Sequence, residues 1–179
     1  MRTTIKLLKI GVFVIPIFFI SVAFYKVTTR KDTSPTPLIL TPGVINQQLP
    51  KTNLVTLSGQ QLDDETLRHG KVIVAFMMPD CGPCDRENGF LKTIADSRKD
   101  VRFFYIIPFG NKKQLLESGK RKYFLEPVYD KGSNIARTLE LNQVPIKIFL
   151  EDGVIKRTWI SATETAEKQT EFKNWLRDI

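Results

Sequence analysis

Val72-Ile73-Val74-Ala75-Phe76-Met77-Met78 runs, two residues later, into Cys81-Gly82-Pro83-Cys84, which holds both cysteines of the chain. The first part is apolar, rich in β-branched residues and unbroken, the pattern of a strand buried on both faces of a sheet. Glu87, Phe90, Leu91 and Ile94 follow at three- and four-residue spacing, which predicts a helix from about Pro83 to Ser97. Proline is tolerated in a first helical turn, where no amide donor is missed. A strand therefore delivers two thiols to the start of a helix. Unpaired amide N–H groups and the helix dipole favour negative charge there, so the first thiol ionises more readily. Two cysteines one turn apart also close a small disulfide ring. The spacing is that of a redox dithiol.

Plainer roles for the pair fit less well. A structural zinc site wants four ligands, and the chain offers two thiols and one histidine, His69. No metal and no other cofactor is expected on that count. A purely structural disulfide across so short a loop would remove little unfolded-state entropy. His69 stands beside a loop glycine and reads as a solvent-exposed residue.

Residues Ile10 to Tyr25 carry no charge and are flanked by Arg2, Lys6 and Lys9 before and Lys26, Arg30 and Lys31 after. With Leu7, Leu8 and a snorkelling Lys9, about 19 residues span roughly 28 Å as a helix, close to the hydrocarbon thickness. The expectation is an uncleaved signal-anchor over 1–31, a transmembrane helix kinked at Pro16. The rival is a signal peptide cut after Ser21-Val22-Ala23, although Phe24 and Tyr25 prolong the apolar run beyond Ala23. Either one carries the rest of the chain across a membrane, to a periplasmic or outer face. Nucleic acid is not an expected partner. The chain has 27 basic and 19 acidic residues, but six of the basic ones and none of the acidic ones lie in 1–31, so the remainder is nearly balanced at +2. One pair of cysteines with none left over suits export. Residues 32–50, with Pro35, Pro37, Pro42 and Pro50 among polar residues, read as a semi-extended spacer. Residues 51–179 then suit one domain.

Within that domain Leu54 to Leu57 is a short strand, and Val101 to Ile107 is a second apolar run. Asn111 can cap a short helix, Lys112 to about Lys120, and Val128-Tyr129 is a brief strand. Asn134 or Ser133 caps another helix through Ile135, Ala136 and Leu139. Pro145 cannot donate to a ladder, so it belongs at the start of the strand Ile146 to Leu150. Glu151-Asp152-Gly153 signals a hairpin into Val154 to Ile160. Phe172, Trp175, Leu176 and Ile179 mark the inner face of a final amphipathic helix. Crossover helices imply parallel strands first, and the hairpin adds antiparallel ones: an α/β fold with a mixed central sheet flanked by helices.

The C-G-P-C after a buried strand, the Val144-Pro145 before a late strand, the D-G hairpin and the terminal helix together resemble the thioredoxin fold, a three-layer architecture. The anchor, the added segment Leu54 to Gly70 and the inserted helix near Lys112 to Phe124 resemble its TlpA/ResA-like membrane-anchored branch, which often has an acid three residues after the second cysteine, here Glu87. The resemblance covers about residues 42–179. It implies that Cys81 is the attacking thiolate, that Cys84 resolves the mixed disulfide, and that Pro145 is a cis-proline facing the pair, with the Val144 backbone open to a substrate strand. Two positions depart from the pattern. Asp80 stands where thioredoxins have Trp, and a carboxylate there opposes a thiolate on Cys81, unless it is only a helix cap. Ala75 stands where many thioredoxins bury a proton-accepting acid. Glu87 is the candidate to take the Cys84 proton; its plainer reading is a solvated acid in the first turns of a helix.

The resemblance implies a membrane-anchored thiol-disulfide oxidoreductase outside the cytoplasm, more a reductant than an oxidant, acting on protein thiols and disulfides. It also implies a transmembrane electron-donor protein and, as one client, the haem-binding cysteines of apocytochrome c, that is, a place in cytochrome c biogenesis. Three alternatives stay open. An AhpC/TSA-type peroxidase shares the fold but has Thr or Ser three residues before its reactive cysteine, where this chain has Met78. The others are an oxidase of protein thiols and a non-catalytic thioredoxin-fold binding module.

Overall fold

Strand β2 (Lys71–Phe76) lies between two partners, and each of its residues from Val72 to Phe76 is buried. The computed structural model describes residues 43–110, 113, 123–177 and 179. Along them run β1 (Leu54–Thr56), a 3₁₀ turn (Asp64–Leu67), β2, α1 (Gly82–Ser97), β3 (Arg102–Ile107), β4 (Val128–Asp130), α2 (Asn134–Thr138), β5 (Ile146–Glu151), β6 (Val154–Trp159) and α3 (Ala166–Arg177). The sheet order is β1-β4-β3-β2-β5-β6. β2 pairs parallel with β3 and antiparallel with β5, so the mixed sheet expected from the crossovers and the hairpin is present. The expected membrane helix, the first part of the spacer and the helix near Lys112 to Lys120, Lys113 apart, lie outside the described residues.

Alternation along the strands divides the apolar residues into two cores. Val72, Val74 and Phe76, with Ile146, Ile148 and Leu150 of β5, pack against Leu67 and against Ile135, Ala136 and Leu139 around α2. Ile73, Ala75 and Met77, with Tyr105 and Phe149, pack against Leu91 and Ile94 of α1 and Phe172 and Leu176 of α3. Helices therefore cover both faces of the sheet, in three layers. Trp175 stacks on Phe172, their ring centroids 5.1 Å apart, so the aromatic residues of α3 serve the second core, as their spacing predicts.

Three local features differ from the sequence reading. Residues in the second half of the proline-rich stretch belong to the folded unit: Val44 and Leu49 are buried, Asn46 N–H donates to Ile155 O (2.7 Å) and Leu49 N–H to Gly153 O (2.8 Å). Their apolar side chains and backbone cover one edge of β6, which composition alone does not reveal. Helix α2 is not capped by Asn134 or Ser133. Ser133 occupies the cap position at φ 55° without a side-chain bond, and the Asp130 carboxylate accepts from Ile135 N–H (2.8 Å) and Ala136 N–H (3.3 Å) instead. Burial raises the Asp130 pKa against those amide bonds. The hairpin turn matches its D-G signal, Asp152 at φ 48° and Gly153 at φ 76°. A side chain at Gly153 would meet the Arg68 backbone at 3.3 Å.

Arg98, at the end of α1, binds both α1's exit and α3's. Its guanidinium makes two 2.8 Å bonds to the Asp100 carboxylate, and it donates to Leu176 O (2.9 Å) and Ile179 O (3.2 Å). The Arg98 bonds hold the Asp100 pKa down to about 2, from the ordinary 3.8. A carboxyl whose folded pKa is depressed stabilises the fold above its unfolded pKa and loses that contribution as pH falls through the folded one. Asp100→Asn should therefore flatten the fall of the urea midpoint between about pH 4 and pH 2 relative to wild type. Equal slopes for the two proteins would show that Asp100 does not couple the helix ends.

Candidate functional site

After β2 the chain keeps one more ladder bond, Met77 N–H to Ile106 O (3.0 Å), and then leaves the sheet. Asp80, exposed and at φ 61°, turns it into α1. Asn, Asp and Gly tolerate that left-handed conformation best, which accounts for a short polar residue here and disfavours a bulky one. The helix cap is Cys81, not Asp80: Cys81 is extended (φ −92°, ψ 99°), and its Sγ accepts the Cys84 N–H at 3.2 Å. Cys81 and Cys84 are joined as a disulfide, S–S 2.04 Å. Cys84 is fully buried and Cys81 is partly exposed, so one sulfur faces outward and the other faces the core. Pro83 sits in the first turn. Arg86, also on α1, pairs with Glu164 from the segment before α3, and its guanidinium lies 3.2 Å from where a side chain on Gly82 would begin.

The Val144-Pro145 bond is cis. Phe76, the last residue of β2, pairs in register with Ile146, the first of β5, so this bond lies at the same end of the sheet as the cysteines. Val144 packs into the cluster that contains Cys81 and Cys84. The structure thus brings together Cys81, Cys84 and Val144, and places Pro145 at the strand start the sequence assigned it.

Glu87 is one turn beyond Cys84 on α1 and is completely buried, which overturns its reading as a solvated acid. Its partner is Lys147, equally buried, with Nζ 2.5 Å from Oε2. The same oxygen accepts from Thr163 N–H (2.8 Å) and Oγ1 (3.1 Å), and Lys147 Nζ also donates to Ser161 O (2.9 Å). The other oxygen, Oε1, is buried with no hydrogen-bond partner. Lys147 lies opposite Ala75 in the β2–β5 register, and its Nζ stands 5.9 Å from the centre of the Phe172 ring. Burial lowers the Lys147 pKa, and the Glu87 charge holds it back up. Tyr105, which donates to Asn88 Oδ1 at 3.0 Å, has its hydroxyl pushed far up by burial, with the Glu87 charge adding to it.

Sequence reasoning missed Lys147 and Thr163. A lysine between Ile146 and Ile148 reads as the outward residue of an amphipathic strand. The available signal was topological: a strand paired with β2 and covered on both faces has no outward side, so its lysine needs a buried acid.

Comparison with solved structures gives the same architecture. A secreted disulfide oxidoreductase of Mycobacterium tuberculosis, homologous to E. coli DsbE, matches at 20% identity over 72% of this chain and 96% of its own, with a TM-score of 0.57. A candidate thiol:disulfide interchange protein DsbE from Chlorobium tepidum matches at 12% identity over 74% and 95%, TM-score 0.62. A thioredoxin-like protein from Porphyromonas gingivalis matches at 20% identity over 75% and 92%, TM-score 0.55. No protein-family model and no curated protein matches the sequence. At these identities the likeness speaks for architecture: the folded unit of this chain has the thioredoxin-like fold, with a Cys-Gly-Pro-Cys disulfide at the start of its first long helix.

Proposed function

We propose that this chain is a thiol-disulfide oxidoreductase, anchored in a membrane by residues 1–31 and working on the extracytoplasmic side, more as a reductant than as an oxidant. One observation carries the reading: a disulfide whose outer sulfur caps a helix, while its inner sulfur is buried one turn behind. The cap amide and the helix dipole favour negative charge on Cys81, and its partial exposure admits a second protein's disulfide. In the reduced enzyme the Cys81 thiolate attacks one sulfur of a substrate disulfide. The first substrate sulfur leaves as thiolate and takes a proton, and a mixed disulfide remains. Cys84, deprotonated, then attacks Cys81 Sγ; the Cys81–substrate bond breaks, the Cys81–Cys84 bond forms, and the second substrate sulfur leaves. The substrate gains two electrons and two protons, and the enzyme loses them.

The backbone of Val144 beside Pro145 is the proposed rail for the substrate strand, since it lies at the cysteine end of the sheet and packs into the same cluster. Return to the dithiol needs electrons from a transmembrane donor protein. Protein disulfides form the client class, the haem-binding cysteines of apocytochrome c among them. The reducing direction rests on the Gly-Pro dipeptide, which resembles that of reducing thioredoxins, and on Asp80, whose carboxylate makes the thiolate on its neighbour harder to form.

In the reduced full-length protein at neutral pH, Cys81 alone should react with iodoacetamide, and Cys84→Ala should accumulate mixed disulfides that Cys81→Ala does not. Comparable labelling of both thiols would reverse or remove the roles. Asp80→Asn keeps a side chain that tolerates the left-handed backbone, whereas Asp80→Trp would strain it. Removing the charge favours the thiolate and hence the reduced form, so the reduction potential should rise, by about 20 mV if the charge is worth about 1 kcal/mol. An unchanged or lower potential would mean that the carboxylate does not act on Cys81. Finally, the full-length protein should sediment with membranes and resist extraction by carbonate, and deletion of residues 1–31 should release it with its exchange activity intact. Recovery of a soluble form cut after Ala23 would favour the cleaved signal.

A further inference from the structure

Main-chain bonds to the Val144 backbone can order a substrate strand but read no side chain, so selection among protein disulfides needs a further group near Cys81. Next to Cys81, the bare backbone of Gly82 leaves room that Arg86 takes. The guanidinium Nη1 lies 3.2 Å, and Cζ 3.9 Å, from where a side chain on Gly82 would begin. Arg86 is one turn further along α1, so its side chain runs back toward the start of the helix. Its Nε donates to Glu164 Oε2. We infer that Arg86 is a specificity-determining residue of the dithiol, a fixed cation at the lip of the cysteine loop that selects substrates with a carboxylate beside the reacting cysteine. The inference rests on the redox reading of the Cys81–Cys84 pair and names the substrate class of that site.

Two observations carry it, and the first is that the cation is held. An arginine whose side chain is 59% exposed ordinarily samples many rotamers, and ordering it on a ligand costs entropy. Here Glu164 anchors it, and the segment that carries Glu164 is anchored in turn. Thr163 donates N–H and Oγ1 to the buried Glu87 carboxylate (2.8 and 3.1 Å), and Ser161 O accepts from the buried Lys147 (2.9 Å). Beyond Glu164, Thr165 O accepts from Gln169 N–H (2.9 Å), and Gln169 Nε2 returns to Thr163 O (3.2 Å). The acid that orients Arg86 is thus bracketed by bonds into the core and into α3.

The second observation is that the cation is not spent. A guanidinium has five N–H donors, and among the described residues only Nε has a protein partner. The Nη1–Nη2 edge stays open, and its fork matches the two oxygens of a carboxylate. Asp80 and Asp85, the acids at the same helix start, have partners of their own. Gly82 fits this arrangement, because a methyl group 3.2 Å from Nη1 would be too tight unless the guanidinium moved off the loop. Arg86 exchanges no proton or electron in the reaction. It holds the flanking carboxylate while the Cys81 thiolate attacks the neighbouring sulfur.

The test uses the full-length protein in a non-ionic detergent, reduced with dithiothreitol and then freed of it. The probes are symmetric disulfides of end-blocked peptides Ala-X-Cys-X-Ala, with X as Glu, Gln or Lys. Each rate of peptide-thiol release is divided by the rate of dithiothreitol on the same disulfide, which removes the peptide's own reactivity. Wild type should prefer the Glu peptide to the Gln peptide about fivefold at low ionic strength, the size of a well-oriented exposed ion pair, and lose most of that at about 0.5 M salt. Arg86→Gln should abolish the preference, and Arg86→Glu should reverse it toward the Lys peptide. Arg86→Lys keeps the charge without the fork and should fall between wild type and Arg86→Gln. Equal wild-type rates on the Glu and Gln peptides, or a preference that survives Arg86→Gln, would overturn the inference. Wild-type protein that exchanges with none of the peptides would instead overturn the redox reading itself.

Discussion

Everything in this fold depends on β2 being hidden on both faces. A strand with Val72, Val74 and Phe76 on one side and Ile73, Ala75 and Met77 on the other needs a layer of helix against each. Those layers are α2 with its neighbouring turns on one face, and α1 with α3 on the other. The same strand ends where α1 begins, so the position of the reactive sulfurs is tied to the most securely held element of the sheet. β5 completes the arrangement, because its antiparallel register fixes the Val144-Pro145 bond at the cysteine end and Lys147 under the helix.

Much of this was legible from local patterns. The continuous apolar run, the C-G-P-C, the proline at a strand start, the D-G turn and the amphipathic end each follow from periodicity or turn chemistry within a few residues. What escaped depends on distant pairings. Glu87 and Lys147 are 60 residues apart, and neither looks buried in its own segment. Asp130 caps a helix from the end of the preceding strand, a bond that competes with the nearer Ser133 and wins because Ser133 is held in the left-handed region. The backbone turn at Asp80 was equally invisible, since a polar residue before a helix reads first as its cap.

The buried pair Glu87–Lys147 ties the helix that bears the cysteines to the sheet. Lys147 stands opposite Ala75 in the register of β2 and β5 and reaches the carboxylate on α1. A lone cation in the core would be costly, and Glu87 offsets it from the helix.

The amide that caps α1 through Cys81 Sγ points at that sulfur while the sulfur is still in a neutral disulfide. An anion formed on the same atom finds its donor already aimed, and the bond shortens and strengthens without a turn of the backbone. Water around a free thiol would have to reorient to do as much. The start of α1 therefore holds ready, in the disulfide form, the donor that a thiolate on Cys81 would use.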